Sequence, residues 1–153
     1  MMSRAFEVIS CLQGKSLATA ESCTGGMIGS SLTAVPGASN VYKGGIISYC
    51  NEIKHNLLNV SLDTLAQYGA VSAPVARAMA LGARNALNTD IAVSVTGLAG
   101  PSGDDFGNPV GTVFIGYADE NRCLSRQFLF EGDRDTVRIQ TVEAALDWIL
   151  ELQ

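Results

Sequence analysis

The chain contains 153 residues, of which 47% are hydrophobic and only 16% charged, and 16 are glycines. This composition is typical of a compact fold with many tight turns and argues against a disordered chain, so we expect one domain over residues 1–153. The formal net charge is -5. Since the basic residues are scattered along the chain, direct binding to nucleic acid is not expected.

The cysteines and the amino-terminal segment indicate the cellular setting. The four cysteines lie far apart, without a CxxC or Cys/His spacing, which argues against structural zinc and is typical of reduced thiols. No apolar run approaches the roughly 20 residues of a membrane span. The first twelve residues include a Glu and an Arg, which indicates a helix rather than a signal peptide. We expect a cytoplasmic location with no membrane contact, no metal and no cofactor.

The first half of the chain predicts short helices and strands in alternation. Apolar residues at the spacing of one helical face indicate an amphipathic opening helix; they are Ala5, Val8, Ile9 and Leu12. A buried strand over 17–20, a helix over 27–35 and a strand over 45–50 follow. Asn51 is expected to cap a short helix that carries Lys54. A second short helix is expected to start at Ser61 and to end at Gly69.

The second half predicts a longer helix, three strands and a terminal helix. The helix begins at Ser72 and Pro74 and continues to Leu87. Period-two alternation predicts a strand over 91–96, and strands over 110–118 and 123–130 are joined by a plausible hairpin. The terminal helix, 133–152, has one apolar face and a second face with Arg134, Arg138 and Thr141. Together these elements favour an α/β fold, a three-layer α/β/α sandwich with a mixed, mostly parallel sheet.

The ESCTGG segment at 21–26 lies between a predicted strand and a predicted helix. Ser22 would lie just before the helix, where unpaired amides and the helix dipole favour an oxyanion. Gly25 and Gly26 would let a ligand approach the backbone. Two alternatives stay open: Ser22 or Thr24 is only a helix cap, or Cys23 is the nucleophile.

A nucleophilic serine needs a base, and the chain has only one histidine, His55. His55 directly follows Lys54, so the two side chains cannot share a helix face. A lysine serves as the base when burial favours its neutral amine. Lys54 is therefore a candidate base, with a solvated surface lysine as the alternative.

The turn over residues 96–101 follows a predicted strand, where open α/β sheets commonly bind ligands. Its amides are suited to hold a phosphate, although it matches neither a Walker loop nor a dinucleotide fingerprint, and a purely structural turn explains it equally. Arg134 and Arg138 lie one helical turn apart. They would receive the same anion or form a solvated face.

Six segments, in this order and spacing, together resemble the carboxy-terminal domain family of the competence/damage-inducible protein CinA. They are TAESCTGG at 19–26, ISYCNEIK at 47–54, YGAVSAPVA at 68–76, VSVTGLAGPSG at 93–103, PVGTV at 109–113 and EGDRDTVRIQ at 131–140. The resemblance covers the chain from about residue 15 to about residue 148.

This resemblance implies an amidase that converts nicotinamide mononucleotide to nicotinate mononucleotide and ammonia in pyridine nucleotide salvage, in a three-layer fold that forms homo-oligomers. It implies Ser22 as the nucleophile, Lys54 as general base and Tyr49 as a group that orients or relays the proton. The residues expected to bind the substrate or its oxyanion are Cys23, Thr24, Gly25, Gly26, Thr96, Gly97 and Arg138. A different class of function is a non-catalytic nucleotide- or partner-binding module that retains this pocket.

Overall fold

The computed structural model describes residues 2–153, and Met1, at which the predicted first helix begins, lies outside the described residues. Within this range the chain forms six helices, five strands and a short 3-10 turn at Ala38–Asn40. In chain order the elements are α1 (Met2–Cys11), β1 (Leu17–Glu21), α2 (Met27–Thr33), β2 (Tyr42–Ile47), α3 (Asn51–Leu58), α4 (Leu62–Tyr68), α5 (Ala73–Leu87), β3 (Ile91–Gly97), β4 (Thr112–Ala118), β5 (Cys123–Leu129) and α6 (Arg134–Glu151).

The five strands form one sheet in the order β2-β1-β3-β4-β5. Strand β1 pairs in parallel with both β2 and β3, whereas the β3–β4 and β4–β5 pairs are antiparallel. Four strands therefore run in one direction and only β4 runs in the other. The predicted mixed, mostly parallel sheet is confirmed in this sense of strand direction.

Helices cover both faces of the sheet. One face packs with α1, α2 and α6 around a large apolar cluster that includes Leu17 and Val93. The other face packs on α5 in a second cluster that includes Ala18 and Met79. The predicted three-layer α/β/α sandwich is confirmed.

Strand β3 shows why its alternating pattern produces burial on both faces. Val93 and its like-facing neighbours are branched residues that fill the larger cluster. On the other face Ser94 is fully buried, and its hydroxyl donates to the carbonyl of Ala76 at 2.6 Å. Helix α5 lies so close to the sheet that a Cβ on Gly116 would collide with that same carbonyl. Small residues on this face therefore set the distance between α5 and the sheet.

Three local predictions are wrong. Strand β2 begins and ends three residues before the predicted 45–50. Its pairing with β1 includes glycines, which weaken the strand pattern, and the register shifts between Tyr42 and Gly44. The N-cap of α3 is Cys50, and Asn51 is the first helical residue. Thr141 is fully buried rather than on the polar face, and its hydroxyl donates to the carbonyl of Val137 at 2.7 Å.

Candidate active site

A cleft of about 290 Å³ opens where β1 and β3 end, at the carboxyl edge of the parallel part of the sheet. This is the edge at which open α/β sheets usually bind ligands. Its wall combines the ends of both strands, the start of α3 and the start of α6. The lining residues are Ser22, Cys23, Tyr49, Asn51, Lys54, Ala70, Val71, Thr96, Gly97, Leu98, Ala99, Gly100, Ser102 and Arg134.

Ser22 is the first residue after β1, and its amide donates to the carbonyl of Val95 on β3 at 3.1 Å. The chain then turns over residues 22–26, helped by positive φ angles of 58° at Gly25 and 106° at Gly26. Helix α2 begins only at Met27, and its N-cap is Gly26. Neither Ser22 nor Thr24 is therefore the helix cap, and Ser22 is separated from the helix by a complete turn.

Lys54 reaches Ser22 from helix α3. The Lys54 side chain is only 1% exposed, which excludes the solvated-surface alternative. Its Nζ lies 3.1 Å from Ser22 Oγ and 2.8 Å from the carbonyl oxygen of Ser48. Burial lowers the pKa of Lys54, an effect opposed by the nearby thiols of Cys50 and Cys23. A lysine in this environment is suited to remove a proton from the serine hydroxyl.

No carboxylate forms an ion pair with Lys54 in the described part of the chain. An acidic partner would favour the charged amine and would oppose the effect of burial. His55, the neighbouring residue, does not take part, because its Nδ1 lies 2.7 Å from the carbonyl oxygen of Val60. Lys54 is thus the basic group beside Ser22.

Cys23 lines the cleft but has the properties of a buried structural thiol. It is 6% exposed, and burial raises the pKa of its thiol to about 11. Almost none of the thiol is ionised at neutral pH, and the thiolate is the nucleophilic form. The geometry therefore favours Ser22 over Cys23.

Glu21 fixes the turn that carries Ser22, a role that our sequence analysis missed. The carboxylate is 2% exposed. Its Oε1 accepts from Thr24 Oγ1 at 2.7 Å and from the Ile28 amide at 2.8 Å, and its Oε2 accepts from the Gly29 amide at 3.0 Å. These amides of α2 are therefore occupied by Glu21. The available sequence signal was an acidic residue at the end of a buried strand.

The turn after β3 forms the opposite wall. Thr96 is 1% exposed, and its hydroxyl donates to the carbonyl of Ala70 at 2.8 Å. At Gly97 a Cβ would lie 2.6 Å from Cγ2 of Val113, so a side chain there would force β4 to move. Both residues thus shape the wall of the cleft through packing and backbone position.

The two arginines of α6 lie in different places. Arg134 lines the cleft and donates to the carbonyl of Gly100 at 2.6 Å and to the Tyr49 hydroxyl at 3.0 Å. Arg138 donates to the backbone carbonyls of Cys23 at 3.0 Å and of Thr24 at 3.2 Å. Arg134 therefore joins two rims of the cleft, whereas Arg138 holds the turn of Ser22.

The predicted site residues divide into two sets. Those that the fold brings together on the cleft wall are Ser22, Cys23, Tyr49, Lys54, Thr96 and Gly97. Those that lie behind it, in the turn or against the turn, are Thr24, Gly25, Gly26 and Arg138. Tyr49 is at the rim, with 62% of its surface exposed.

Two structural findings concern metals and membranes. Over residues 2–153, no group of three or more His, Cys, Asp and Glu side chains is arranged to hold a metal ion. No helix in the same range combines the length and apolar character needed to cross a membrane.

The fold and the cleft together define a class of protein: a three-layer α/β/α domain with a buried lysine against a serine at the carboxyl edge of its sheet. Within this class the particular family is shown by a family model. The model of the CinA C-terminal domain matches residues 4–153, and the chain belongs to this family.

Individual relatives agree with this assignment. A CinA-like protein of Geobacter sp. (strain M21) is 52% identical over 136 residues, which are 89% of this chain and 33% of that protein. A putative competence-damage inducible protein of Clostridium beijerinckii is 47% identical over 133 residues, or 87% of this chain and 32% of that protein. The chain thus spans about a third of the length of the curated relatives it matches.

Solved structures match over nearly their whole length. The competence damage-inducible protein A (ComA) of Klebsiella pneumoniae has a TM-score of 0.96 at 35% identity, covering 98% of this chain and 94% of that chain. A competence-damaged protein (CinA) superfamily protein of Escherichia coli has a TM-score of 0.97 at 33% identity, covering 99% and 90%.

Proposed function

We propose that the protein is an amidohydrolase that converts nicotinamide mononucleotide to nicotinate mononucleotide and ammonia through a Ser22 acyl-enzyme. The observation that carries the proposal is the buried Lys54 amine, 3.1 Å from Ser22 Oγ and without an acidic partner in the described chain. The family resemblance supplies the substrate, and the Ser/Lys geometry supplies the chemistry.

In the first step the neutral amine of Lys54 takes the hydroxyl proton of Ser22, and Oγ bonds to the carboxamide carbon. The carbonyl oxygen of the substrate becomes an oxyanion. Within residues 2–153 the backbone amides of Cys23, Thr24 and Gly26 donate to no other residue, so they are the donors available from this turn. The helix amides below them are already bound to Glu21.

In the second step the tetrahedral intermediate collapses and its C–N bond breaks. The departing nitrogen takes the proton from Lys54 and leaves as ammonia. Water then attacks the acyl-enzyme and gives one proton to Lys54, which returns it to Ser22 Oγ as the C–Oγ bond breaks; the released carboxylic acid loses its remaining proton to solvent and becomes the carboxylate. Lys54 thus acts as base and as acid in each half of the cycle, and no other titratable group is required.

Arg134 is the stronger candidate for the substrate phosphate. A guanidinium has five N–H donors. Arg134 lines the cleft, and its contacts to Gly100 and Tyr49 leave further donors for a ligand. Arg138 donates hydrogen bonds to the backbone of the turn, so its effect on the substrate is expected to be indirect.

The test is ammonia release from nicotinamide mononucleotide by the purified chain, beside Ser22→Ala and Lys54→Ala. Each variant should lose at least about a thousandfold in kcat, because nucleophile and base act as one unit. Ser94→Ala is a matched control, since it also removes a buried serine hydroxyl but lies outside the cleft.

The substrate is tested by comparing the nucleotide with nicotinamide riboside and free nicotinamide. A site that contacts the phosphate should prefer the nucleotide. Tight binding of the nucleotide without ammonia release would reject the amidase and support the non-catalytic binding module. Equal turnover of all three compounds would reject a phosphate-dependent site.

A further inference from the structure

The hydroxyl of Ser48 is an unusual buried group. Ser48 is 0% exposed, and its Oγ is the only buried side-chain nitrogen or oxygen within residues 2–153 that has no hydrogen-bond partner in the protein. Folded proteins rarely leave such a group unpaired, because no hydrogen bond then offsets the free-energy cost of its desolvation. A hydrogen bond that this hydroxyl makes in only one protonation state of the site would explain why a serine is present there.

The backbone of Ser48 connects both halves of the Ser22–Lys54 pair. Its amide donates to the carbonyl of Glu21, the residue before Ser22, at 2.8 Å. Its carbonyl accepts from Lys54 Nζ, also at 2.8 Å. The unpaired hydroxyl therefore belongs to the residue whose own carbonyl holds the base.

The hydrogen bonds of Lys54 differ between its two charge states. A neutral amine has two N–H donors and one lone pair, whereas an ammonium has three N–H donors. The structure provides two oxygen partners at Nζ, Ser22 Oγ and the Ser48 carbonyl. The ammonium formed when Lys54 takes the serine proton thus needs a third acceptor in a buried site.

We propose that Ser48 Oγ is a positioning residue that accepts the third N–H of Lys54 while Lys54 holds the proton of Ser22. Rotation about the Cα–Cβ bond of Ser48 moves Oγ relative to the carbonyl that already binds Nζ. A hydrogen bond from a charged ammonium is stronger than one from a neutral amine, so the contact stabilises the reacting state more than the resting state. Its consequence for turnover rests on the proposed amidase function.

Other titratable or charged groups also surround this position, and the test must separate their effects from that of Ser48. Cys23 and Cys50 act electrostatically on Lys54. Further groups on the neighbouring elements or on the same cleft are Glu21, Tyr42, Lys43, Tyr49, Glu52, His55 and Arg134. None of them is altered by changing Ser48 to alanine or threonine.

The decisive measurement is the titration of Lys54 by NMR of protein labelled with ¹³C at lysine Cε. The chain has three lysines, Lys15, Lys43 and Lys54, so the resonances can be assigned by substitution. Ser48→Ala should lower the pKa of Lys54 below that of the wild type, because an acceptor for the ammonium is lost. Ser48→Thr retains the hydroxyl and should restore the wild-type value.

Thermal unfolding and kinetics supply readouts that a structural role would not give. Ser48→Ala should keep or raise Tm, since it removes an unpaired buried hydroxyl, whereas the control Ser94→Ala should lower Tm because its hydroxyl is paired. Loss of a hydrogen bond to a charged group should lower kcat by about 10- to 100-fold. The acid limb of the activity profile should move to lower pH.

An unchanged pKa of Lys54 in Ser48→Ala would overturn the proposal, and so would a fall in Tm equal to that of Ser94→Ala. The titration needs no substrate. Failure of the wild type to release ammonia would therefore reject the proposed function and leave the result on Ser48 intact.

Discussion

Replacing Glu21 by glutamine tests whether its buried carboxylate fixes the turn of Ser22. The substitution keeps the shape of the side chain and one acceptor oxygen. With that oxygen on Thr24 Oγ1 and the Ile28 amide, the new NH₂ group faces the Gly29 amide, which donates to Glu21 Oε2 at 3.0 Å in the wild type. A donor would then face a donor inside the protein.

The expected cost follows from these contacts. One hydrogen bond to a charged acceptor is worth about 1.5–3 kcal/mol, and an unpaired buried donor adds a desolvation penalty, so we expect a loss of about 2–4 kcal/mol in the free energy of unfolding. For a domain of this size, each kcal/mol lowers Tm by about 2–4 °C. Urea denaturation and calorimetry measure both quantities. The turn should also loosen, so kcat should fall more than KM rises.

Asp90→Asn is the matched control for Glu21→Gln. The Asp90 carboxylate also accepts from a backbone amide and a hydroxyl, both of Ser16, at the other end of β1. This variant should lower stability without changing kcat. If Glu21→Gln kept the wild-type Tm, the carboxylate would not be needed at this turn. If it lowered Tm but left kcat and KM unchanged, the link between the turn and the chemistry would be wrong.

Three further predictions concern other parts of the chain. Cys23→Ala should retain ammonia release, and loss of activity would indicate that Cys23 is the nucleophile. Thiol reagents at neutral pH should label the exposed cysteines of the native protein and leave Cys23 unmodified, because the pKa of its thiol is about 11. Arg134→Gln should raise KM for the nucleotide about tenfold or more and change KM for the riboside little. Arg138→Gln should instead lower Tm and kcat. The reverse pattern would assign the phosphate contact to Arg138 and the support of the turn to Arg134. Burial would raise the pKa of Asp119, but hydrogen bonds from Arg122, the Asn121 amide and the Tyr117 hydroxyl together outweigh it and lower the pKa to about 2. The unfolded chain therefore binds this proton first, and stability should fall as pH falls from about 4 towards 2; acid titration of Asp119→Asn should lack this component.

The sequence predicts the fold well where the hydrophobic pattern and the capping or turn residues indicate the same boundary. Ser61 and Asp133 lie at the predicted starts of α4 and α6, and in the structure each is the N-cap whose side chain accepts an amide of the first turn. Strand β3 ends close to the predicted boundary, because its alternation stops where the turn begins. Predictions of this kind depend on short-range interactions that a single sequence displays.

Other features depend on contacts between distant segments. The sequence predicts the start of α2 correctly at Met27. It wrongly predicts that Ser22 lies just before this helix, because a turn fixed by Glu21 separates the two. Ser22 and Lys54 are 32 residues apart, and only the parallel pairing of β1 and β2 brings their segments together. Spacing along the chain does not reveal a contact of this kind. Residue chemistry therefore made Lys54 only a candidate base, and the family resemblance was needed to pair it with Ser22.

The two buried ionisable groups beside Ser22 explain how one small site holds both a stable turn and a basic lysine. The Glu21 carboxylate is surrounded by hydroxyl and amide donors, whereas Lys54 is surrounded by oxygen acceptors and thiols. No ion pair joins them within residues 2–153. Direct contact would stabilise the ammonium and remove the lone pair that accepts the proton of Ser22 in the proposed mechanism. Under the proposed function, the amides at the start of α2 therefore contribute to catalysis: by binding Glu21, they keep its charge away from Lys54.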